Sequence, residues 1–270
     1  MPSRLRPAAA HPPCITLTTD FGDQDGYVGA MKGVLLSINP RLTLVDLTHQ
    51  IPPQNIRAAA FVLLAAYASF PPGTIHLVVV DPGVGTTRRL IAARLGRWTF
   101  VAPDNGVLDL VRRREESRQA VAITNRRYAA ERPSATFHGR DVLAPAAAHL
   151  SLGLPLARLG PAVRLMRPID LPAPRVLDDG GTRGTIIHSD RFGNLITNLR
   201  LPSARSRGSW AVGYRRRIYP VLRTYATAPE NAILALVGSS GFVELAARNA
   251  SACARLRARI GDPVTLRQQP

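Results

Sequence analysis

The chain has 270 residues, of which 46% are hydrophobic, and a formal net charge of +17. This length is sufficient for two domains, and no apolar run approaches the roughly 20 residues that a membrane-spanning helix requires. The charge would ordinarily favour a nucleic-acid partner. However, Lys32 is the only lysine and the arginines are scattered. This pattern is more typical of the composition of a GC-rich genome, so we expect neither a nucleic-acid nor a membrane partner.

The N-terminal segment and the two cysteines indicate a cellular location. Residues 1–13 are rich in Pro, Ala and Arg and lack the apolar centre of a signal peptide, so we predict a disordered leader. Cys14 and Cys253 lie far apart, and no metal-ligand spacing occurs. These features favour reduced thiols, a cytoplasmic location and no bound metal.

Predicted strands and helices alternate from Cys14 to about Gly160. Alternation of this kind is typical of βαβ units. We therefore predict an α/β domain over residues 14–166, with a mainly parallel sheet and helices on both faces. The predicted helices are Gly26–Ile38, Gln54–Phe70, Gly106–Glu116 and Gly139–Leu152.

Several predicted strands end at an acidic residue. The acids are Asp20, Asp46, Asp81, Asp104 and Asp190. One such Asp is usually a helix cap or a turn residue. Ligands of open α/β sheets, however, bind outside the carboxyl ends of the strands, and five acids in that position predict a binding crevice.

The second half of the chain has a different pattern of predicted secondary structure. Residues 167–181 are rich in Pro, Asp and Gly and are predicted to form a linker. Beyond them, short strands are separated by turn residues, which favours a small antiparallel β-barrel or sandwich over residues 182–270.

Familiar cofactor and nucleophile motifs are missing from the sequence. Gly83-Val84-Gly85 follows a strand, but no third glycine opens a helix as in a dinucleotide-binding loop. The chain also lacks the Gly-Lys-Ser/Thr of a phosphate-binding loop and the Gly-x-Ser-x-Gly of an esterase. We therefore expect no cofactor.

Three clusters remain as candidate chemistry. Asp20 to Asp25 contains three carboxylates suited to ribose hydroxyls, although acids before a helix also serve as caps. His138 stands beside a glycine at a strand-to-helix junction, where it could exchange a proton or be structural. Asp190 to Asn194 offers a carboxylate, an aromatic ring and an amide, or forms an ordinary hairpin turn.

Taken together, these motifs resemble those of the S-adenosylmethionine (SAM) hydroxide adenosyltransferases, relatives of the fluorinases and chlorinases. The matching segments occur in the family's order and cover nearly the whole chain. They are Thr18-Thr19-Asp20-Phe21-Gly22, Val80-Asp81-Pro82-Gly83-Val84-Gly85-Thr86, Ala102-Pro103-Asp104-Asn105-Gly106, Thr136-Phe137-His138-Gly139-Arg140-Asp141, Asp190-Arg191-Phe192-Gly193-Asn194 and Asn249-Ala250-Ser251-Ala252.

The resemblance implies that SAM is the substrate and that water or hydroxide attacks the ribose C5′ in line with the departing sulfur. The products would be adenosine and methionine. Asp81, Arg88 and His138 would surround the attacking water, but which of them is the base stays open. The resemblance also implies a homotrimer with its sites at the subunit interfaces.

The resemblance assigns substrate-binding roles to seven further residues. Asp20 would hold the ribose, Asp25 and Asp190 the methionine ammonium, and Phe192 and Asn194 the adenine. Ser240 and Ala250 would also lie near the substrate.

Two alternatives stay open at this point. The first is a halogenase. Related halogenases have a tyrosine where this chain has Asp81, and a carboxylate there would repel a halide. The second is a non-catalytic nucleoside- or nucleic-acid-binding protein, for which the charge of +17 is the only support.

Overall fold

The structure is a computed structural model that describes residues 12–202 and 208–269. Most of the predicted leader, residues 1–13, therefore lies outside the described residues. The chain divides into two compact units, Met1–Ile169 and Asp170–Pro270. Within the described residues, no helix is both long enough and apolar enough to span a membrane.

The first unit is built around a six-stranded sheet in the order β2-β1-β3-β5-β4-β6. Only β4 runs antiparallel to its neighbours, so the prediction of a mainly parallel sheet flanked by helices is confirmed. Its strands are β1 (Cys14–Thr19), β2 (Thr43–Thr48), β3 (Ile75–Val79), β4 (Leu90–Leu95), β5 (Trp98–Pro103) and β6 (Ser117–Ala122). Its helices are α1 (Tyr27–Ile38), α2 (Ile56–Ala66), α3 (Asp109–Arg112) and α4 (Ala144–Ser151).

The two faces of this sheet are covered differently. On one face, Met31 and Leu35 of α1 and the alanines of α4 pack against alternate residues of β1 and β3. On the other face, the buried Tyr67 follows α2 and packs edge-on against Trp98, at 5.0 Å between ring centroids. Helices therefore lie on both faces, and the loops after the strands are free to form a site.

Two sequence predictions in this unit are wrong in detail. Asp46 does not end its strand, because β2 continues to Thr48 and the Asp46 carboxylate binds Lys32 Nζ at 2.6 Å. The helix predicted over residues 106–116 is reduced to the single turn α3. The helix ends at Arg112 because the chain must adopt an extended conformation by Ser117, where β6 begins to pair with β4.

The second unit is a closed barrel. Seven strands follow one another in the order β14-β10-β11-β12-β13-β9-β8, and β14 pairs with β8 to complete the ring. The strands are β8 (Thr182–Ser189), β9 (Leu195–Thr197), β10 (Trp210–Tyr214), β11 (Arg217–Leu222), β12 (Ile233–Val237), β13 (Val243–Ala247) and β14 (Pro263–Gln268). The short strand β7 (Arg175–Val176) pairs with β8, and α5 spans Ala252–Leu256.

Closure decides between the barrel and the sandwich that the sequence left open, and the predicted barrel is confirmed. All but one of its strand pairs are antiparallel; β11 and β12 are parallel. The connection between them passes through a 3-10 turn at Tyr225–Thr227 instead of a hairpin, so β12 starts again in the direction of β11. That connection lies over the outside of the barrel, where it contributes to a site.

The segment predicted as a linker, residues 167–181, is well anchored at both ends. In the first unit, Asp104 Oδ1 accepts a hydrogen bond from the Arg167 amide at 2.7 Å, and Asp109 Oδ2 accepts one from the Ile169 amide at 3.2 Å. In the second unit, β7 and a turn closed by the Leu177 amide and the Gly181 carbonyl lead into β8.

Candidate active site

The centre of the site in the first unit is a chain of three side chains with Arg88 in the middle. Arg88 Nε donates to Asp81 Oδ1 at 2.8 Å and to Oδ2 at 3.0 Å, and its Nη2 also pairs with Oδ2. Arg88 Nη2 lies 3.0 Å from His138 Nδ1. The sequence resemblance grouped these three residues, and the structure places them in direct contact.

The ion pair of Asp81 and Arg88 is largely removed from solvent. Their side chains are 7% and 6% exposed. Burying a carboxylate costs free energy unless the group is paired with a cation and hydrogen-bonded. The bidentate contact with the Arg88 guanidinium provides both the counter-charge and the hydrogen bonds. The Asp81 carboxylate is therefore held at a nearly dry position in direct contact with its counter-charge.

The turn after β3 brings the two partners together. Thr86 Oγ1 donates to the Gly83 carbonyl at 2.7 Å, which folds the chain back so that Arg88 returns to Asp81. Gly85 has a φ of +81°, a conformation that favours glycine. A Cβ at Gly83 would lie 3.0 Å from Cδ of Arg88. The glycines thus allow the arginine to lie against the turn.

His138 is neutral and has a defined tautomer. A guanidinium can only donate, so His138 Nδ1 must accept from Arg88 and Nε2 must carry the ring hydrogen. Burial, reinforced by the Arg88 charge, lowers the pKa of His138, although Asp81 and Asp141 oppose the shift. A neutral ring with a hydrogen on its free nitrogen donates a hydrogen bond more readily than it accepts a proton.

A π-helical turn over Gly139–Leu143 holds His138 at the end of β3. A Cβ at Gly139 would come within 2.9 Å of Val79 Cγ1, so glycine lets this turn pack closely against the strand. Asp141 fixes the same turn, since it pairs with Arg140 and its Oδ2 accepts from the Ser134 amide at 2.8 Å. The predicted strand-to-helix junction at His138 is wrong in its first half, because residues 129–137 form no strand and lead directly into the π-helical turn.

A cavity of about 300 Å³ opens beside this triad. Asp20, Asp81 and His138 all line it, together with Phe21, Gln54 and Phe137. Asp20 Oδ2 accepts a hydrogen bond from the Gln54 amide at 2.7 Å, which fixes the carboxylate at the cavity wall. Asp25 is exposed and is not among the lining residues.

An aromatic group next to this cavity was not found by sequence reasoning. Phe21, Tyr27 and Phe137 contact one another with centroids 5.3 to 5.7 Å apart. Phe21 and Phe137 were part of recognised motifs, but they are more than a hundred residues apart in the chain. Only the packing of α1 against the π-helical turn brings them together.

The second unit has its own cavity of about 670 Å³, lined by Phe192, Asn194, Tyr225, Ala226 and the segment from Ala247 to Ala250. Three residues from the sequence prediction, Phe192, Asn194 and Ala250, thus share one cavity. Phe192 is 77% exposed and therefore accessible to a ligand. Ser240 does not line this cavity, but its buried hydroxyl has no hydrogen-bond partner among the described residues.

Asp190 organises the loop that carries Phe192 and Asn194. Its Oδ1 accepts from the amides of these two residues at 3.0 and 2.8 Å. Its Oδ2 accepts from Asn194 Nδ2 at 2.8 Å, and Nδ2 also lies 3.4 Å from the Tyr225 hydroxyl. These contacts fix the Asn194 amide so that its carbonyl oxygen is available to a donor such as an adenine amino group.

Glu244 is a buried acid near this loop that sequence reasoning missed. It lies on β13 and is 7% exposed. Burial, together with the charge of Asp190, raises the pKa of Glu244 to about 7. The sequence feature that could have identified Glu244 is its position as the one charged residue in the apolar segment Val243-Glu244-Leu245-Ala246-Ala247.

The described residues contain neither a metal-binding cluster nor a disulfide. No cluster of three His, Cys, Asp or Glu side chains there could hold a metal ion. Cys14 and Cys253 are both free thiols.

Comparison with known proteins identifies the family. Residues 15–160 match the model of the SAM hydroxide adenosyltransferase N-terminal domain, and residues 184–265 match that of the C-terminal domain. The chain belongs to the SAM hydroxide adenosyltransferase family. The family predicted from the sequence motifs is thereby confirmed.

Individual members of this family and its relatives differ in their similarity to the chain. A protein from Thermus thermophilus named (R)-S-adenosyl-L-methionine hydrolase is 45% identical, with 92% of this chain and 97% of that protein covered. A fluorinase from an Actinoplanes species is 28% identical, with 88% and 92% covered. A crystal structure of an uncharacterised conserved protein from Thermotoga maritima is 36% identical and covers 93% of this chain and 99% of its own, with a TM-score of 0.86.

The shifted titration of His138 gives a direct test of the triad. In an Arg88→Met variant we expect the pKa of His138 to rise above its wild-type value, because Asp81 and Asp141 would then act without the opposing cation. Proton NMR of the imidazole signals against pH measures this shift. His149, whose pKa is lowered by burial alone, serves as the internal control. An unchanged His138 value would contradict the contact.

Proposed function

We propose that this member of the family hydrolyses SAM to adenosine and L-methionine. The observation that carries the proposal is the desolvated Asp81–Arg88–His138 chain at a cavity that also presents Asp20. A new C5′–O bond forms as the C5′–S bond breaks. The sulfur keeps the bonding electron pair and becomes the neutral thioether of methionine, and the attacking water loses one proton.

Asp81 is the member of the triad best suited to orient and deprotonate the water. His138 Nδ1 is occupied by Arg88 and its Nε2 carries a hydrogen, so the ring has no free site for a proton. The carboxylate of Asp81 retains lone pairs beyond those that Arg88 uses. His138 Nε2 and the Arg88 charge would then stabilise the developing hydroxide.

This reaction needs little more than orientation and desolvation. A sulfonium is already a good leaving group, so holding one water in line and nearly dry supplies the main catalytic effect. The proposal therefore includes no cofactor. Asp81 also disfavours the halogenase alternative, because a carboxylate beside the nucleophile repels a halide and favours water.

The remaining residues are proposed to hold the substrate. Asp20, at the triad cavity, binds the ribose hydroxyls; Phe192 and Asn194 hold the adenine; Asp25 and Asp190 bind the methionine ammonium. Ser240 and Ala250 lie near the substrate. Asn194 supports this division, since its free carbonyl oxygen suits an adenine amino group. The relatives named as hydrolases of the (R) form further suggest that the configuration at sulfur is recognised.

The reaction is tested by product analysis in water enriched in heavy oxygen. We expect adenosine that carries the label at its 5′ oxygen, together with unlabelled methionine, and faster turnover of the (R) sulfonium epimer than of the (S) epimer. The products are identified by mass spectrometry. A 5′-halo nucleoside in the presence of fluoride or chloride would instead support the halogenase alternative. Affinity for DNA or RNA with steep salt dependence and no turnover would support the binding protein.

The roles within the triad are tested by Asp81→Asn and His138→Ala. We expect each change to lower kcat by about 10²-fold or more with a much smaller change in KM, as for the loss of a typical electrostatic or proton-transfer contribution. Steady-state kinetics measures both constants. The exposed acid Glu131, changed to Gln, is the control. Near-normal kcat in both triad variants would mean that another group activates the water.

We further propose a homotrimer, in which the groups of the two units meet on the substrate across subunit interfaces, and a cytoplasmic location. Asp81→Ala and Asn194→Ala would each impair a separate set of groups. Random mixing of the two variants in closed trimers should restore roughly a quarter of the sites. Recovery of activity after co-refolding measures this fraction. Proven mixing without recovery would exclude sites shared in this way.

A further inference from the structure

A second cavity of the first unit, of about 390 Å³, also borders the triad. We call it the rear cavity; it lies between residues 86–90, residues 122–126 and the turn that carries His138. Arg88 lines only the rear cavity, and Asp81 lines only the cavity that also presents Asp20. His138 is the one described residue that lines both. The triad therefore borders two cavities, and the proposed hydrolysis uses one of them.

Arg88 keeps two N–H groups that the rest of the described chain leaves unused. A guanidinium carries five such donors. Nε and Nη2 of Arg88 give three of them to Asp81 and His138. Nη1 makes no hydrogen bond with any described residue, although the side chain is only 6% exposed. Buried donors without a protein acceptor indicate a bound ligand or water, and the cavity that Arg88 lines is the rear one.

The charges around the rear cavity do not balance. Three arginines line it, and no carboxylate does. Asp81 neutralises Arg88, and Asp104 neutralises Arg89. The third, Arg126, is exposed at the start of a 3-10 turn, and its side chain forms no ion pair or hydrogen bond with a described residue. The surplus is one positive charge, so the complementary ligand carries one negative charge.

The remaining lining residues favour an anion that loses its water easily. The hydroxyls of Thr87 and Thr124 make no hydrogen bond with described residues and are free to donate. Leu90, Ile123 and Val142 contribute an apolar wall. A guanidinium is itself weakly hydrated, so it suits a weakly hydrated partner. A divalent anion is disfavoured, because the apolar wall cannot replace the water that such an ion would lose.

We propose that the rear cavity binds one weakly hydrated, monovalent anion, held by Arg88 Nη1 and Arg126. The binding site is separate from the substrate cavity, and only its effect on turnover rests on the proposed function. A negative charge beside Nη1 offsets part of the positive potential that Arg88 exerts on Asp81 and His138. The developing hydroxide is then less well stabilised, so the anion inhibits hydrolysis without competing with SAM.

Inhibition by thiocyanate, a monovalent anion of this kind, tests the effect on turnover. We expect saturable inhibition that lowers kcat and leaves KM for SAM unchanged. Arg126→Gln removes the unpaired charge and should raise the inhibition constant by about threefold or more, as for a partly exposed ion pair. The matched control is Arg127→Gln, because Arg127 is exposed, adjacent in the chain and absent from the cavity wall. It should leave the inhibition constant unchanged.

Proton NMR of His138 tests binding in the absence of SAM. Added thiocyanate should raise the pKa of His138, because a nearby negative charge stabilises the protonated ring. The rise should saturate, and it should be lost in Arg88→Met, which has no Nη1 donors. His149 lines neither cavity and serves as the internal control.

Three results would overturn the anion site. Inhibition competitive with SAM would mean that thiocyanate enters the substrate cavity. An equal change in the Arg126 and Arg127 variants would mean general screening by salt. An unchanged pKa of His138 would mean that the rear cavity holds only water. A wild-type protein that leaves SAM intact would contradict the proposed function alone, since the NMR titration still reports whether the anion binds.

Discussion

The pairing of Asp81 with Arg88 is the interaction on which the proposed chemistry depends. A carboxylate 7% exposed would ordinarily take up a proton or demand a partner. The Arg88 guanidinium is that partner: it makes a bidentate contact with the Asp81 carboxylate, and it also donates a hydrogen bond to His138. One arginine thus satisfies the hydrogen-bonding capacity of the acid and decides which nitrogen of the histidine carries the hydrogen.

The two units treat buried charge in opposite ways. Among the described residues of the first unit, every buried Asp pairs with an arginine, which accounts for part of the excess of arginine over lysine. A planar guanidinium is better suited than an ammonium to a desolvated, bidentate contact with a carboxylate. In the second unit, Glu244 has no such partner.

Glycines determine how closely the functional side chains approach the backbone. Gly83 makes room for Arg88, Gly139 lets the π-helical turn pack on β3, and Gly238 accommodates the Glu244 carboxylate. Gly193, at a φ of +81°, lies so near Ser251 that a Cβ would come within 2.0 Å of its hydroxyl. These positions explain why the recognisable motifs of this chain are rich in glycine although no phosphate-binding loop is present.

The sequence by itself determined that strands and helices alternate in the first unit, that a β-domain follows, and which family the motifs resemble. Through that resemblance it also implied the grouping of Asp81, Arg88 and His138, whereas β4 and β6 were not predicted. These features depend on local alternation and on motifs that remain contiguous in the chain. The tertiary structure decided the rest. Strand pairing ended the predicted helix at α3, carried β2 past Asp46 and closed the barrel through β14 and β8. It also decided the burial of Glu244, because the environment of a side chain on the outer face of a strand depends on which distant segment covers it.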